Sequence, residues 1–319
     1  TAKYKKKLKC ILYKQILITM SNIAIKRLNR DLSVLEKDPL YSMGIYHYVN
    51  EENIFNIKAM IRGPEDTPYR QGYYFFDMNF PKEYPFKPPK VSYETRYGNI
   101  RFNPNLYTCG KVCVSILGTW SGPQWTSCQS IKSVLISLQT LLHENPLHNE
   151  PGYEKEIGEK NKLYNEVIQH ENINVAIIRM LRSVTPGFEF FLPVMRELFI
   201  KDYGKIKDYV RELSKNDNKK ISNTVYGMSI VTKYKKLLSE IEGIYNEFTK
   251  DGDVNEDKME IDTEDESKNG NKKIKLKRHA PNVKAKEYDE GTEMLSENDN
   301  KLYKCVVLSN GVKRWKKIQ

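Results

Sequence analysis

Cys113 sits in a stretch, Phe102 to Trp125, whose residue types suit a thiol nucleophile with an oxyanion donor. An Asn-Pro-Asn turn occupies Asn103, Pro104 and Asn105, and Cys113 follows Asn105 by eight residues. The apolar pair Ile116 and Leu117 comes next, and Trp120 and Trp125 bracket a Ser-Gly-Pro turn. A thiolate is a good nucleophile, and the thioester it forms stays reactive toward amines. Attack on a carbonyl builds an oxyanion, and the side-chain N–H of Asn105 could donate to it. One such donor is worth about 3–4 kcal/mol in a comparable protease. Turn asparagines also hydrogen-bond nearby backbone, so Asn105 has a structural use as well, and the sequence leaves both open. Two other cysteines compete for the role. Cys109 lies within the turn and reads as an exposed bystander, and Cys128 reads as a small residue at a helix start. Cys109 and Cys113 could pair with Cys128 and His143 or His148 around zinc. The C-x₃-C spacing lacks a second pair, so no metal is expected.

The elements that must position this stretch follow from composition and pattern. The chain has 319 residues and is 39% hydrophobic, enough for one core and a second unit. Five cysteines, odd in number and irregular in spacing, argue against a disulfide framework and for a reducing compartment. No apolar run approaches the roughly 18 residues of a membrane span. The run from Cys10 to Met20 is too short, is broken by Lys14 and lacks a cleavage pattern, so no signal peptide is expected. The net charge is +11, but residues 1–19 supply +6 of it from six lysines. The +5 that remains is weak support for nucleic-acid binding. Residues 1–19 precede the first methionine, Met20, and are read as a basic extension, upstream translated sequence or non-native.

A helix is expected over residues 21–37, with Ser21 as its N-cap and Ile25, Leu28, Leu32 and Leu35 as its apolar stripe. Lys26, Arg27 and Arg30 lie largely off that stripe. Pattern alone reads them as a solvated face. Four strand-like runs follow: Gly44 to Val49, Asn53 to Arg62, Tyr73 to Phe80, and Val91 to Tyr93. Their short connections predict an antiparallel meander. The prolines of Tyr84 to Pro89 predict a rigid loop at the sheet's edge. Helices are expected over Ser130 to Leu142 and Lys160 to Arg182, then from about Leu192 to Leu213 and Val231 to Phe248, with Ser214 to Asn223 as a mobile polar connection.

From Lys250 the composition changes. Residues 251–266 hold nine acids and one lysine, and residues 268–278 hold six basic residues and no acid. Such blocks bury too little apolar surface to offset ordering entropy and read as a disordered linker over 250–286. Lys272, Lys273, Lys275, Lys277 and Arg278 match an import signal in composition only. Residues 287–319 end in an alternating stretch around Asn310-Gly311 that predicts a small β-hairpin.

This order of elements resembles the ubiquitin-conjugating enzyme family, and specific residues carry the likeness. The family's Tyr-Pro-Phe-x-Pro-Pro signature stands at Tyr84 to Pro89, and its His-Pro-Asn signature appears as Asn103-Pro104-Asn105. Gly110 stands three residues before Cys113, as in the family. The later Trp and the Leu-rich helix also match. The Z-type branch is closer. It shares Asn in the first signature, the stretch Gly110 to Trp120, the stretch Glu144 to Gly152, and a helical C-terminal extension.

The resemblance implies an α+β ubiquitin-conjugating fold with a core domain over 20–183 and a helical extension over 184–249. It implies an acyltransferase: Cys113 takes ubiquitin, or a ubiquitin-like modifier, from the activating enzyme as a thioester and passes it to a substrate lysine, usually with a ligase. No cofactor and no membrane partner is implied. The location implied is cytoplasmic, or also nuclear if the basic run serves as a signal. Lys26, Arg27 and Arg30 become the docking surface for the activating enzyme, and Phe86 and Trp125 become binding residues. Asn105 becomes the oxyanion donor. The acid near the incoming lysine is not cleanly aligned; His148 or Glu150 could fill it, with Glu150 favoured. The loop bearing Trp125 continues Thr126-Ser127-Cys128 instead of the usual Ser-Pro-Ala, which puts an inherited ligase preference in doubt. The alternative activity is a catalytically inactive ubiquitin-binding scaffold of the same fold.

Overall fold

Four consecutive aromatics, Tyr73 to Phe76, explain the layering of the chain. A computed structural model describes residues 2–50, 52–250, 288–296, 302–307 and 313–318. In it β1 (Ile45–Val49), β2 (Asn56–Arg62), β3 (Tyr73–Asn79) and β4 (Lys90–Tyr93) form one antiparallel sheet in sequential order. Met60 pairs with Phe75, and Phe76 pairs with Tyr93. Side chains alternate across a strand, yet Tyr73, Tyr74, Phe75 and Phe76 are all fully buried, so both faces of the sheet are covered. Tyr74 and Phe76 point into one core with Leu28, Leu35, Val134 and Val167. Tyr73 and Phe75 point into another with Met60, Phe188, Phe199 and Ile241.

The first core is closed by α1 (Ala2–Lys37), α2 (Ile131–Gln139) and α3 (Glu159–Glu171). Leu28, Leu32 and Leu35 are buried as their spacing requires, and Ile25 is half-buried. The helix starts at Ala2, so Ser21 lies inside it and does not cap it. Ser130 does cap α2. Its hydroxyl accepts the Ser133 N–H at 3.3 Å, and the Ser133 hydroxyl accepts the Ser130 N–H at 3.3 Å. α3 runs on through a π-helical segment, Asn172–Arg179, into α4 (Met180–Arg182). Fully buried Asn172 marks the widened turn: its Oδ1 accepts from the Tyr74 hydroxyl at 2.6 Å and its Nδ2 donates to the Arg70 carbonyl at 2.9 Å.

The second core belongs to α5 (Leu192–Leu213) and α6 (Tyr234–Lys250), which pack through Tyr203 stacked on Tyr245 at 3.7 Å. The expected mobile connection is instead a hairpin. β5 (Lys220–Asn223) pairs with β6 (Met228–Val231), burying Ile221 and Met228 while Ser222 and Ser229 face outward. Ile221 and Met228 join the first core, so this hairpin reaches back to the domain that carries Cys113.

Residues 263–319 form a separate unit. Its described part is an antiparallel sheet of β7 (Glu293–Leu295), β8 (Leu302–Val307) and β9 (Lys313–Lys317), one strand more than the expected hairpin. Tyr303 and Cys305 are buried in it. The acidic and basic blocks of 251–278, the import-type run and the Asn310-Gly311 turn lie outside the described residues. Among the described residues no helix is long and apolar enough to cross a membrane.

Candidate active site

The Cys113 loop is built by backbone pairing that its sequence spacing dictates. Leu106 bridges to Val112, the Tyr107 N–H donates to the Lys111 carbonyl at 2.9 Å, and the Gly110 N–H closes the turn on Tyr107 at 2.9 Å. Gly110 has φ of +92°, and a Cβ there would meet the Tyr93 carbonyl oxygen at 3.2 Å, so glycine is required at this corner. Thr119 closes the far side: its hydroxyl accepts the Val114 N–H at 3.0 Å and donates to the Val112 carbonyl at 2.9 Å.

Asn105 and Cys113 hold each other in two directions. The Cys113 N–H donates to the Asn105 carbonyl at 2.9 Å, and the Asn105 side-chain Nδ2 donates to the Cys113 carbonyl at 2.6 Å. The eight-residue separation is what puts them opposite each other on this ladder. Asn103 anchors the turn from below. Its Nδ2 donates to the Leu141 carbonyl at 2.8 Å, and its Oδ1 accepts the Asn105 N–H at 2.9 Å. One of the two Asn105 Nδ2 hydrogens is thus spent on the loop, and the second remains as a donor. The Asn105 Oδ1 is buried without a protein hydrogen-bond partner, a state that costs about 1–3 kcal/mol. Cys113 is 1% exposed, while Cys109 and Cys128 are exposed.

A groove of about 540 Å³ opens beside the loop, lined by Asn105, Ser115, Trp120, His148, Asn149 and Glu154 among others. Glu150 is not among its lining. It lies between Asn149 and Pro151, which are, and its Oε2 accepts from the Tyr226 hydroxyl at 2.5 Å. The acid in the groove is Glu154. Its own backbone N–H and then the Gly152 N–H, which lies 3.1 Å from Oε1 and 3.0 Å from Oε2, hold its carboxyl below the usual range. Sequence reasoning missed Glu154; the available signal was the Pro151-Gly152 turn, which lets a glutamate two residues on fold back onto the glycine N–H. His148 also lines the groove, and its Nε2 is bonded to the Glu156 carbonyl at 2.9 Å.

The residues expected to bind partners lie on another face. Lys26 and Arg30 are exposed. Arg27 is engaged inside the protein. Its Nε bonds buried Asp31 at 2.8 Å, and its Nη atoms donate to the carbonyls of Ser127 at 2.7 Å and Gln129 at 2.5 Å. Asp31 also accepts from the Tyr84 hydroxyl, whose pKa is raised by burial and then by this carboxylate. The half-buried Trp125 donates to the Pro85 carbonyl at 2.6 Å, and Phe86 beside it is 61% exposed. Arg27, Arg30, Cys128 and Lys132 line a second concavity of about 480 Å³.

A sequential four-stranded sheet, an Asn-Pro-Asn turn laddered onto a cysteine, and helices after it define one protein class. Residues 27–178 match the family model for ubiquitin-conjugating enzyme, and that segment is a domain of this family. Within it the chain is similar to Z-type members. It is 44% identical to ubiquitin-conjugating enzyme E2 Z of Xenopus tropicalis over 185 residues, covering 57% of this chain and 58% of that protein. It is 45% identical to E2 Z of Homo sapiens over 179 residues, covering 56% and 50%. For E2 Z of Danio rerio the figures are 44% over 185 residues, covering 57% and 56%. The chain therefore spans little more than half the length of these relatives.

Proposed function

We propose that this chain accepts ubiquitin or a ubiquitin-like modifier on Cys113 and transfers it to a substrate lysine. The observation that carries this reading is the two-way Asn105–Cys113 ladder inside a domain of this family. In the first step the Cys113 thiolate attacks the modifier's C-terminal carbonyl, a new C–S bond forms, and the activating enzyme's thiolate leaves. In the second a neutral lysine amine attacks that carbonyl, a C–N bond forms, and the Cys113 thiolate leaves. The amine's extra proton goes to an acceptor or to water. Each step passes through an oxyanion, for which the second N–H of Asn105 Nδ2 is the nearby donor.

Glu154, ionised in the groove, supplies the negative charge that draws in the lysine ammonium and an acceptor for its proton. Lys26 and Arg30 are the exposed cations through which α1 meets the activating enzyme, and Phe86 with Trp125 offers an apolar surface to a ligase. The burial of Cys113 is what a scaffold reading would rest on. One assay separates the two. Incubation with activating enzyme, ATP and ubiquitin is expected to yield an adduct that a reducing thiol removes. Its absence would leave the scaffold.

A further inference from the structure

The turn between β5 and β6 carries one half-buried tyrosine, Tyr226, that touches both the segment leading into the Asn-Pro-Asn turn and the segment that walls the groove. On one side its hydroxyl donates to Glu150, whose neighbours Asn149 and Pro151 line the groove. On the other side its ring centroid lies 4.5 Å from the Arg101 guanidinium carbon. That guanidinium lies 3.8 Å from the Tyr107 ring on its other contact, and its Nη2 donates to the carbonyl of Pro104 at 2.5 Å. Pro104 is the centre of the Asn-Pro-Asn turn, and Tyr107 opens the hairpin that leads to Cys113.

The hairpin itself is fixed. The Arg101 N–H meets the Met228 sulfur at 3.2 Å, the Arg101 carbonyl accepts from the Tyr164 hydroxyl at 2.6 Å, and the ring of Tyr164 packs edge-on to Tyr226 at 5.9 Å. Burial and then the Glu150 acceptor raise the Tyr226 pKa, so the phenol stays a donor at neutral pH. A link of this kind goes beyond holding the extension on. It ties two segments that are 46 residues apart and that also meet directly, where the Asn149 Nδ2 donates to the Asn103 Oδ1 at 3.3 Å.

We propose that Tyr226 is a positioning residue of the acyl-transfer site: through Arg101 and Glu150 it holds the Asn-Pro-Asn turn and the 149–151 wall at the spacing that lysine transfer needs. The proposal rests on the acyl-transfer reading above. It gives Glu150 a specific part, as a hydrogen-bond acceptor that anchors a wall, with no need for its charge at the reacting atoms. It also makes the C-terminal extension a component of the site.

The test is discharge of the preloaded Cys113 thioester to free lysine, with charging by the activating enzyme measured in parallel on the full chain. Tyr226→Phe keeps the ring on Arg101 and removes only the hydroxyl. It is expected to slow discharge about fivefold while charging stays near wild type, the two being read well below the melting temperature. Glu150→Ala is expected to match it, and the double variant to be no slower than either single one. Glu150→Gln keeps an acceptor oxygen without charge and is expected to recover most of the rate lost in Glu150→Ala. Wild-type discharge in Tyr226→Phe would overturn the proposal, and so would a multiplicative loss in the double variant. Glu150→Gln as slow as Glu150→Ala would also overturn it, since charge and not position would then be the requirement. Failure of the wild-type chain to load at all is a different result: it would remove the acyl-transfer reading itself, and this proposal with it.

Discussion

Cys113 and Cys128 lie fifteen residues apart in one domain, each in a loop tied down by a side chain from outside it, near in sequence for one and distant for the other, and their thiols end in opposite surroundings. At Cys113 the tie is on the residue itself: Asn105 donates to the Cys113 carbonyl, Thr119 seals the next residues, and the thiol is buried. At Cys128 the ties are on the neighbours. Arg27 donates to the carbonyls of Ser127 and Gln129, and the thiol is left exposed in a concavity with Arg27, Arg30 and Lys132. The cationic surroundings and the exposure favour Cys128 as the reactive thiol on simple chemical grounds. The Asn105 amide and the groove lined by Asn105, Ser115 and Glu154 lie instead beside the Cys113 loop. Exposure therefore reports which thiol meets small reagents, and on the proposed function it is the polar groups around a thiol that select the acyl carrier.

Removing the tie at Cys128 tests whether the two loops are independent, and it carries the largest expected effect. Arg27→Ala leaves buried Asp31 without its cation and takes a donor from each of two loop carbonyls. A loss of about 2–3 kcal/mol is expected, a fall in melting temperature of about 5–10 °C for a domain of this size. Discharge of preloaded Cys113 should stay within about twofold of wild type. A tenfold slower discharge, read below the lowered melting temperature, would show the loops to be coupled.

Asn105→Ala removes the tie at Cys113. If the second N–H serves the oxyanion, discharge falls at least tenfold, since about 1.4 kcal/mol has that effect. The bond to the Cys113 carbonyl adds a stability loss of about 1 kcal/mol, visible in the melting temperature. Near-normal discharge with only the stability loss would confine Asn105 to holding the loop. Asn105→Asp sharpens this, because it can keep loop bonds while placing negative charge against the oxyanion. Wild-type discharge in Asn105→Asp would end the oxyanion role.

The paired reversal of Lys26 and Arg30 to glutamate should slow charging several-fold at low salt and progressively less as salt rises, with discharge unchanged. Charging rates that are insensitive to both the reversal and salt would place the docking surface elsewhere. The smallest effect concerns reactivity. Brief treatment of the native protein with iodoacetamide, read by peptide mass, should modify Cys109 and Cys128 well before Cys113. Equal labelling of Cys113 would mean that its loop opens freely in solution.

The Cys113 loop was legible because its geometry is local. A separation of eight residues between Asn105 and Cys113, with a glycine at the corner, is a hairpin-like ladder held within one short stretch. The meander was legible for the same reason. The run Tyr73 to Phe76 also held a clue to the second core, since four consecutive buried aromatics need cover on both faces. What resisted reading depends on contacts far apart in sequence. The β5–β6 hairpin has strands of four residues with serines and a lysine facing out, a pattern weak enough to pass for a polar connection. Arg27 looked like one of three surface cations because its acceptors, the Ser127 and Gln129 carbonyls, are 100 and 102 residues away. The sequence favoured Glu150 over His148 and passed over Glu154, because the hydrogen bond that turns Glu150 to Tyr226 comes from 76 residues away.

The most direct measurement is the loading reaction on Cys113→Ala beside Cys109→Ala and Cys128→Ala, resolved with and without a reducing thiol. The expected result is a thiol-sensitive ubiquitin adduct on the wild type, Cys109→Ala and Cys128→Ala chains, and none on Cys113→Ala. A thiol-sensitive adduct that persists on Cys113→Ala, or one that disappears from Cys128→Ala, would contradict the assignment of Cys113 as the acyl carrier.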